Sequence, residues 1–157
     1  MMPFYKHNNY VWEGIPKVDY KPCDPGQPQT FSATDRQTLV GPGNDTAFHL
    51  RYFECAVGGY SSLEKHQHVH VVVCMRGHGT VVVDNEVYQV EPYDLVVIPP
   101  WAKHQLINTS DTEPFGFFCT VDGDRDRYQA LTHEEVDEMC KDPAVKAALR
   151  IHEHYWG

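Results

Sequence analysis

A chain of 157 residues can bury one core and is too short for two full domains. Its 22 acidic against 13 basic residues give a net charge of −9, and no Lys/Arg stripe is spaced to follow phosphates, which excludes nucleic acid as the expected partner. No apolar run approaches the roughly 20 residues of a membrane span and the opening MMPFYKHNNY lacks a signal peptide's apolar stretch, so a cytoplasmic protein without a membrane partner is expected.

Residues 1–47 are rich in Pro, Gly, Asn and Asp and keep no period of 2 or 3.6, which predicts an extended N-terminal arm. Its aromatics Phe4, Tyr5, Tyr10, Trp12 and Tyr20 predict that the arm packs on something, either its own domain or a second subunit. Residues 48–121 change character: FHLRYFECAV, HVHVVVCMR, GTVVVD, EVYQV, DLVVIP, HQLIN and FGFFCTV are strand-like runs separated by turn signals, the pattern of an all-β sandwich or barrel. Residues 122–157 form a C-terminal segment. GDRDRY (123–128) reads as a solvated turn without chemistry. Thr132 with Glu135 is a capping box and Asp142-Pro143 a second helix start, predicting one broken or two short helices over 133–153 with Leu149 and Ile151 inward. The five cysteines, Cys23, Cys55, Cys74, Cys119 and Cys140, are odd in number and lack a CxxC pair, which argues for reduced thiols.

Chemistry concentrates where Glu64, His66, His68 and His70 occupy alternate positions. On a regular strand these side chains share one face, so several can reach one metal ion. Imidazoles with a carboxylate suit a divalent transition metal, Fe, Mn, Ni, Zn, Co or Cu, rather than an oxygen-only Ca or Mg cage.

Two motifs resemble those of the cupin family, G-x5-H-x-H-x3,4-E-x6-G and G-x5-P-x-G-x2-H-x3-N. The first runs from Gly58 through Glu64, His66 and His70 to Gly77, with glutamate and histidine exchanged; the second has Tyr93 and Trp101 where glycine is usual, around Pro99, His104 and Asn108. The resemblance implies a cupin-type, jelly-roll-like β-barrel holding one metal with Glu64, His66, His70 and His104, and a homodimer. His68 then stands between ligands, free to face solvent, to orient a neighbouring ligand, or to substitute for Glu64.

Parity with His70 turns Val72 and Cys74 inward, and the last strand offers Phe117 and Cys119, or Phe118 on the other face. A free cysteine there is first a small buried hydrophobe. Arg51 lies either in the barrel, where it would grip a carboxylate or phosphate, or at the surface; Trp101 either caps the barrel mouth or holds its loop. The resemblance implies a metal-dependent enzyme on a small oxygenated molecule. A dioxygenase-type oxidoreductase, with Glu64 also moving a proton, leads over an isomerase or lyase such as a decarboxylase that uses the metal as a Lewis acid, and over a non-catalytic binding cupin.

Overall fold

The computed structural model describes residues 3–22, 26 and 28–156; Cys23 lies outside them. The chain runs β1 (His7–Asn8), β2 (Val11–Trp12), β3 (Val18–Asp19), β4 (Ser32–Val40), β5 (Phe48–Tyr60), β6 (Glu64–Lys65), β7 (His70–Arg76), β8 (Gly79–Val83), β9 (Glu86–Val90), β10 (Leu95–Ile98), β11 (His104–Ile107), β12 (Phe115–Asp122), β13 (Gln129–Ala130), α1 (His133–Met139) and α2 (Pro143–Ala148). All pairings are antiparallel. One layer reads β10-β7-β12-β5-β4-β3, the other β9-β8-β11-β6-β13, and Tyr60 opposite Ile107 joins them. This curled antiparallel barrel with two short helices near its end is the architecture that the cupin resemblance and the helix-capping signals imply, the barrel being one of the two forms the strand pattern allows.

Alternation governs the strands. On β7, His70, Val72 and Cys74 are buried while Val71 keeps 37 % exposure, because successive side chains point to opposite faces. On β12, Phe117 and Cys119 point inward, and Phe118 faces out beneath Trp12 of the arm. The inner faces of β5, β7, β8, β11 and β12 close a core of Phe53, Cys55, Val72, Cys74, Val81, Leu106, Phe115 and Phe117.

The N-terminal segment packs on its own barrel. Tyr10 stacks on Tyr52 and Trp12 packs tilted against it, Gln37 Nε2 donates to the Tyr10 carbonyl at 2.8 Å, and Val18–Asp19 pair with Asp35–Arg36. Residues 32–40, read from sequence as part of the arm, add a nine-residue strand to the sheet; Thr34 and Gln37 are its buried residues, and their polar atoms are satisfied by Tyr60, Cys55 and Tyr10, so no apolar alternation marks it.

The C-terminal helices begin at the signals seen in sequence. Thr132 and Glu135 complete a capping box, and Asp142 caps α2, whose first residue is Pro143. Val136, Met139, Val145 and Leu149, with Ile151 beside them, cover Leu63, Val82 and Ile107. Gln105 clamps the chain after α2, donating to the Arg150 carbonyl and accepting from its amide. Tyr155 Oη donates to the Leu63 carbonyl at 2.7 Å and accepts from the Leu131 amide at 2.7 Å, which fixes the backbone just before Glu64. No helix of the described residues is long and apolar enough to cross a membrane.

Candidate metal and substrate site

Three elements bring the histidines together. His66 follows β6, His70 opens β7, and His104 opens β11 directly opposite Glu64 in register. The ligating atoms of His66, His70 and His104 lie within 4.8 Å of one another and all three residues are buried. His66 Nδ1 faces the His68 carbonyl at 2.8 Å and His104 Nδ1 the Ala102 carbonyl at 2.8 Å. A carbonyl only accepts, so the proton sits on Nδ1 and each Nε2 carries a lone pair. Both Nε2 atoms are buried without a partner. Buried polar atoms are rarely left so, and two lone pairs aimed at one point fit a bound cation.

Burial pushes these imidazoles toward the neutral form. His66 is pushed down to about 4, first by burial and then by His104; His70 and His104 are lowered for the same first reason. Neutral imidazole is the ligand form. Glu64 Oε1 lies 3.8 Å from His66 Nε2 and 4.0 Å from His104 Nε2, while Oε2 accepts from Lys21 Nζ. Burial opposes the Glu64 charge, yet Lys21 and then His104 outweigh it and hold the carboxyl below its usual range. The donor chemistry therefore fits a divalent transition metal on His66, His70 and His104, with Glu64 beside them.

Loops lock this arrangement. The Trp101 amide donates to the His66 carbonyl at 2.7 Å, so Trp101 holds the loop; its side chain is 48 % exposed and stands outside the cavity. Asn108, the end of the second motif, donates to the carbonyls of Cys55, Ala56 and Glu113. Tyr93 and Trp101, standing where cupins usually have glycine, adopt φ of 77° and 64°, the left-handed region that explains the family preference.

Glu64, His66, His68, His70, Arg51, Phe117 and Cys119 line one cavity of about 390 Å³. His68 stacks on His66 with ring centroids 3.6 Å apart and its Nδ1 meets Asp126 Oδ1 at 2.7 Å. Cys119 Sγ accepts from Arg51 Nη2 at 3.3 Å, and burial raises its pKa. Cys74 does not border the cavity: its Sγ sits in the core near the Gly77 carbonyl at 3.7 Å, the thiol pushed up to about 11 by burial.

Sequence reasoning missed part of the wall. Lys21 comes from the N-terminal arm, Arg36 from β4, and His49 shares the inward face of β5 with Arg51 and Phe53, as their spacing of two allows. The reading of GDRDRY as a turn without chemistry is corrected: Arg125, Asp126, Arg127 and Tyr128 all line the cavity. Asp126 accepts from the amides of Gln67 at 2.8 Å and His68 at 3.0 Å, and these bonds fold the loop over the site. Nothing local in GDRDRY reveals this, since the partners are nearly 60 residues away.

Residues 51–121 match the Cupin domain family model. The chain is 40 % identical over 142 residues, 90 % of its length and 88 % of the relative's, to 1-methylthio-D-xylulose 5-phosphate methylsulfurylase of Rhodospirillum rubrum. A solved cupin-2 domain from Rhodospirillum rubrum superposes with a TM-score of 0.79 at 39 % identity, covering 94 % of both chains. A cupin 2 domain-containing protein from Halorhodospira halophila gives 0.75 at 42 % identity, covering 94 % of this chain and 95 % of that one. With both sequence motifs, the barrel and the buried histidines in agreement, the chain belongs to the cupin superfamily.

Proposed function

We propose that this cupin is a metal-dependent enzyme that acts on a small phosphorylated methylthio sugar, breaking the bond between the methylthio sulfur and the carbon beside the carbonyl while a thiol co-substrate forms a disulfide with that sulfur and the thiol's proton ends on the carbon. The observation that carries the reading is the convergence of two unpartnered histidine Nε2 atoms, His70 and the Glu64–Lys21 pair at one end of a substrate-sized cavity. The methylsulfurylase relative supports the substrate class, its name setting a methylthio group on carbon 1 and a phosphate on carbon 5 of a ketose.

A divalent metal held by His66, His70, His104 and Glu64 would polarise a substrate carbonyl or hydroxyl oxygen. Glu64 faces the histidines through Oε1 and accepts from Lys21 through Oε2, and this pair exchanges a proton with the substrate. His68, braced by Asp126, keeps the His66 ring in its plane. Phe53 and Phe117, stacked at 5.6 Å on the cavity wall, give the methylthio group an apolar surface.

The same donor set serves dioxygenases, and an oxidative reaction on a small oxygenated substrate differs in consuming dioxygen. Metal-loaded protein is incubated with 1-methylthio-xylulose 5-phosphate, with and without a small thiol as acceptor. Mass spectrometry follows the methylthio group while an oxygen electrode records the solution. Methylthio release without oxygen uptake is expected. Oxygen uptake matching substrate loss, or no turnover with any of the candidate metals, overturns the proposal.

A further inference from the structure

Away from the histidines the cavity wall turns cationic, in a chain whose net charge is −9. Arg36 from β4, Arg51 from β5 and Arg125 from the loop after β12 line it together with His49. Among the described residues none of these three guanidinium groups is in a salt bridge with a carboxylate. The Nε atoms of Arg36 and Arg51 are buried with no hydrogen-bond partner. Arg125 Nη1 meets His49 Nδ1 at 3.0 Å and donates to the Asp122 carbonyl at 2.8 Å and the Gly123 carbonyl at 3.4 Å, and among the described residues Arg51 Nη2 has only the Cys119 sulfur at 3.3 Å.

The carboxylates of this cavity are taken. Glu64 is held by Lys21, and Asp126 by His68 and two amides. Burial lowers the pKa of Arg36 and of Arg125, and after burial each is lowered most by Arg51, so the three groups feel one another's charge. Grouping cations in a partly buried wall without an anion is costly, and the cost is recovered when a ligand brings the anion. Guanidinium forks suit a phosphate's oxygens two at a time.

We propose that Arg51 and Arg125, with Arg36 and His49 beside them, form a phosphate-monoester subsite that anchors the substrate's far end and aims its reacting carbons at the histidines. The inference rests on reading this cavity as an enzyme site for a phosphorylated small molecule, and it assigns the residues that select the phosphate.

The test uses the full chain freed of metal with a chelator, so that phosphate bound by a metal is not recorded. Inorganic phosphate, xylulose 5-phosphate and unphosphorylated xylulose are titrated by calorimetry into wild type, Arg51→Met, Arg125→Met, Arg125→Lys and, as a control on α1's exposed end, Lys141→Met. Wild type and the control bind both phosphorylated probes in preference to xylulose. Arg51→Met and Arg125→Met each weaken them about ten- to a hundredfold, the range for losing a charge-assisted contact, and Arg125→Lys recovers part of the loss.

Phosphate binding within twofold of wild type in Arg125→Met, or none in wild type, overturns the inference. Arg125 lies on a loop, so its variants fold even if Arg51→Met does not; thermal unfolding checks each. The two readings fail separately. Phosphate binding that depends on the arginines without methylthio release keeps the subsite and removes the proposed reaction. Release with a KM unchanged in Arg125→Met keeps the reaction and removes the subsite.

Discussion

Lys21 and Glu64 form an ion pair whose side chains keep only 15 % and 5 % exposure, so removing one partner strands a charge in a poorly solvated place. At an effective dielectric near 20, unit charges about 4 Å apart attract by about 4 kcal/mol. Desolvation opposes this gain, and burial already lowers the Lys21 pKa. Lys21→Met leaves the carboxylate facing two neutral histidines; Glu64→Gln leaves the ammonium over the Tyr128 ring, 3.1 Å from its centroid. Each single change is expected to destabilise the metal-free protein by about 3–5 kcal/mol, the usual cost of an orphaned buried charge. The double variant Lys21→Met/Glu64→Gln strands nothing and is expected to lose far less than the sum, a coupling of about 2 kcal/mol or more. Loss of the Tyr128 contact appears in both variants that lack Lys21 and cancels from the cycle. Urea unfolding at pH 7 in the presence of chelator, with m-values compared across the four proteins, measures it. Coupling below about 0.5 kcal/mol would mean that water solvates the pair as it does surface pairs, and the buried-pair reasoning would be wrong.

Metal analysis of alanine variants tests the ligand set: His66→Ala, His70→Ala and His104→Ala are expected to lose bound metal. His68→Ala and Asp126→Asn are expected to weaken it by about tenfold through the His66 ring, as outer-shell partners do; full loss in His68→Ala with retention in Glu64→Ala would exchange their roles. Acid should destabilise the metal-free fold as pH falls from about 6.5 to about 4, because unfolded histidines take up protons there that His66, lowered to about 4, refuses; unfolding midpoints that are flat over this window would contradict it. Gly77→Ala should destabilise by at least 2 kcal/mol, since its φ is +66° and an added Cβ would sit 2.2 Å from the Pro114 carbonyl oxygen, whereas Tyr93→Gly, at an 80 % exposed side chain with φ of 77°, should be neutral or stabilising by up to about 1 kcal/mol. We propose a homodimer, consistent with the exposed Leu95 and Val97 on edge strand β10, and light scattering should give twice the 18.0 kDa chain mass; the mass of one chain rejects it.

What could be read from the sequence follows the distance over which each signal acts. Val-rich alternation along β7 and the capping signals at Thr132 and Asp142 are local, and they specify strand faces and helix starts unaided. The histidines were legible because two motifs carry them at fixed spacings. Which face Arg51 takes was open, since alternation gives parity and leaves its sign undetermined; pairing of Arg51 with Cys119 and Phe53 with Phe117 turns His49, Arg51 and Phe53 inward together. Lys21, Arg36 and Arg125 reach the cavity only through long-range pairing, between β3 and β4, between β4 and β5, and between Asp126 and the Gln67–His68 amides.

The exchange of glutamate and histidine in the first motif gains a physical meaning from those long-range contacts. At position 70 a carboxylate would open β7 opposite Ile98 of β10. At position 64 it lies on β6, opposite His104 and within reach of the lysine that follows β3. Moving the acid therefore brings the N-terminal arm into the site, and Lys21 compensates a charge that burial alone would neutralise. The arm's docking through Trp12, Tyr10 and Val18–Asp19 is then coupled to the charge state of the carboxylate. A cycle that shows Lys21 and Glu64 strongly coupled would tie the arm to the exchanged motif, so that the segment outside the barrel motifs sets the electrostatics at the three buried histidines.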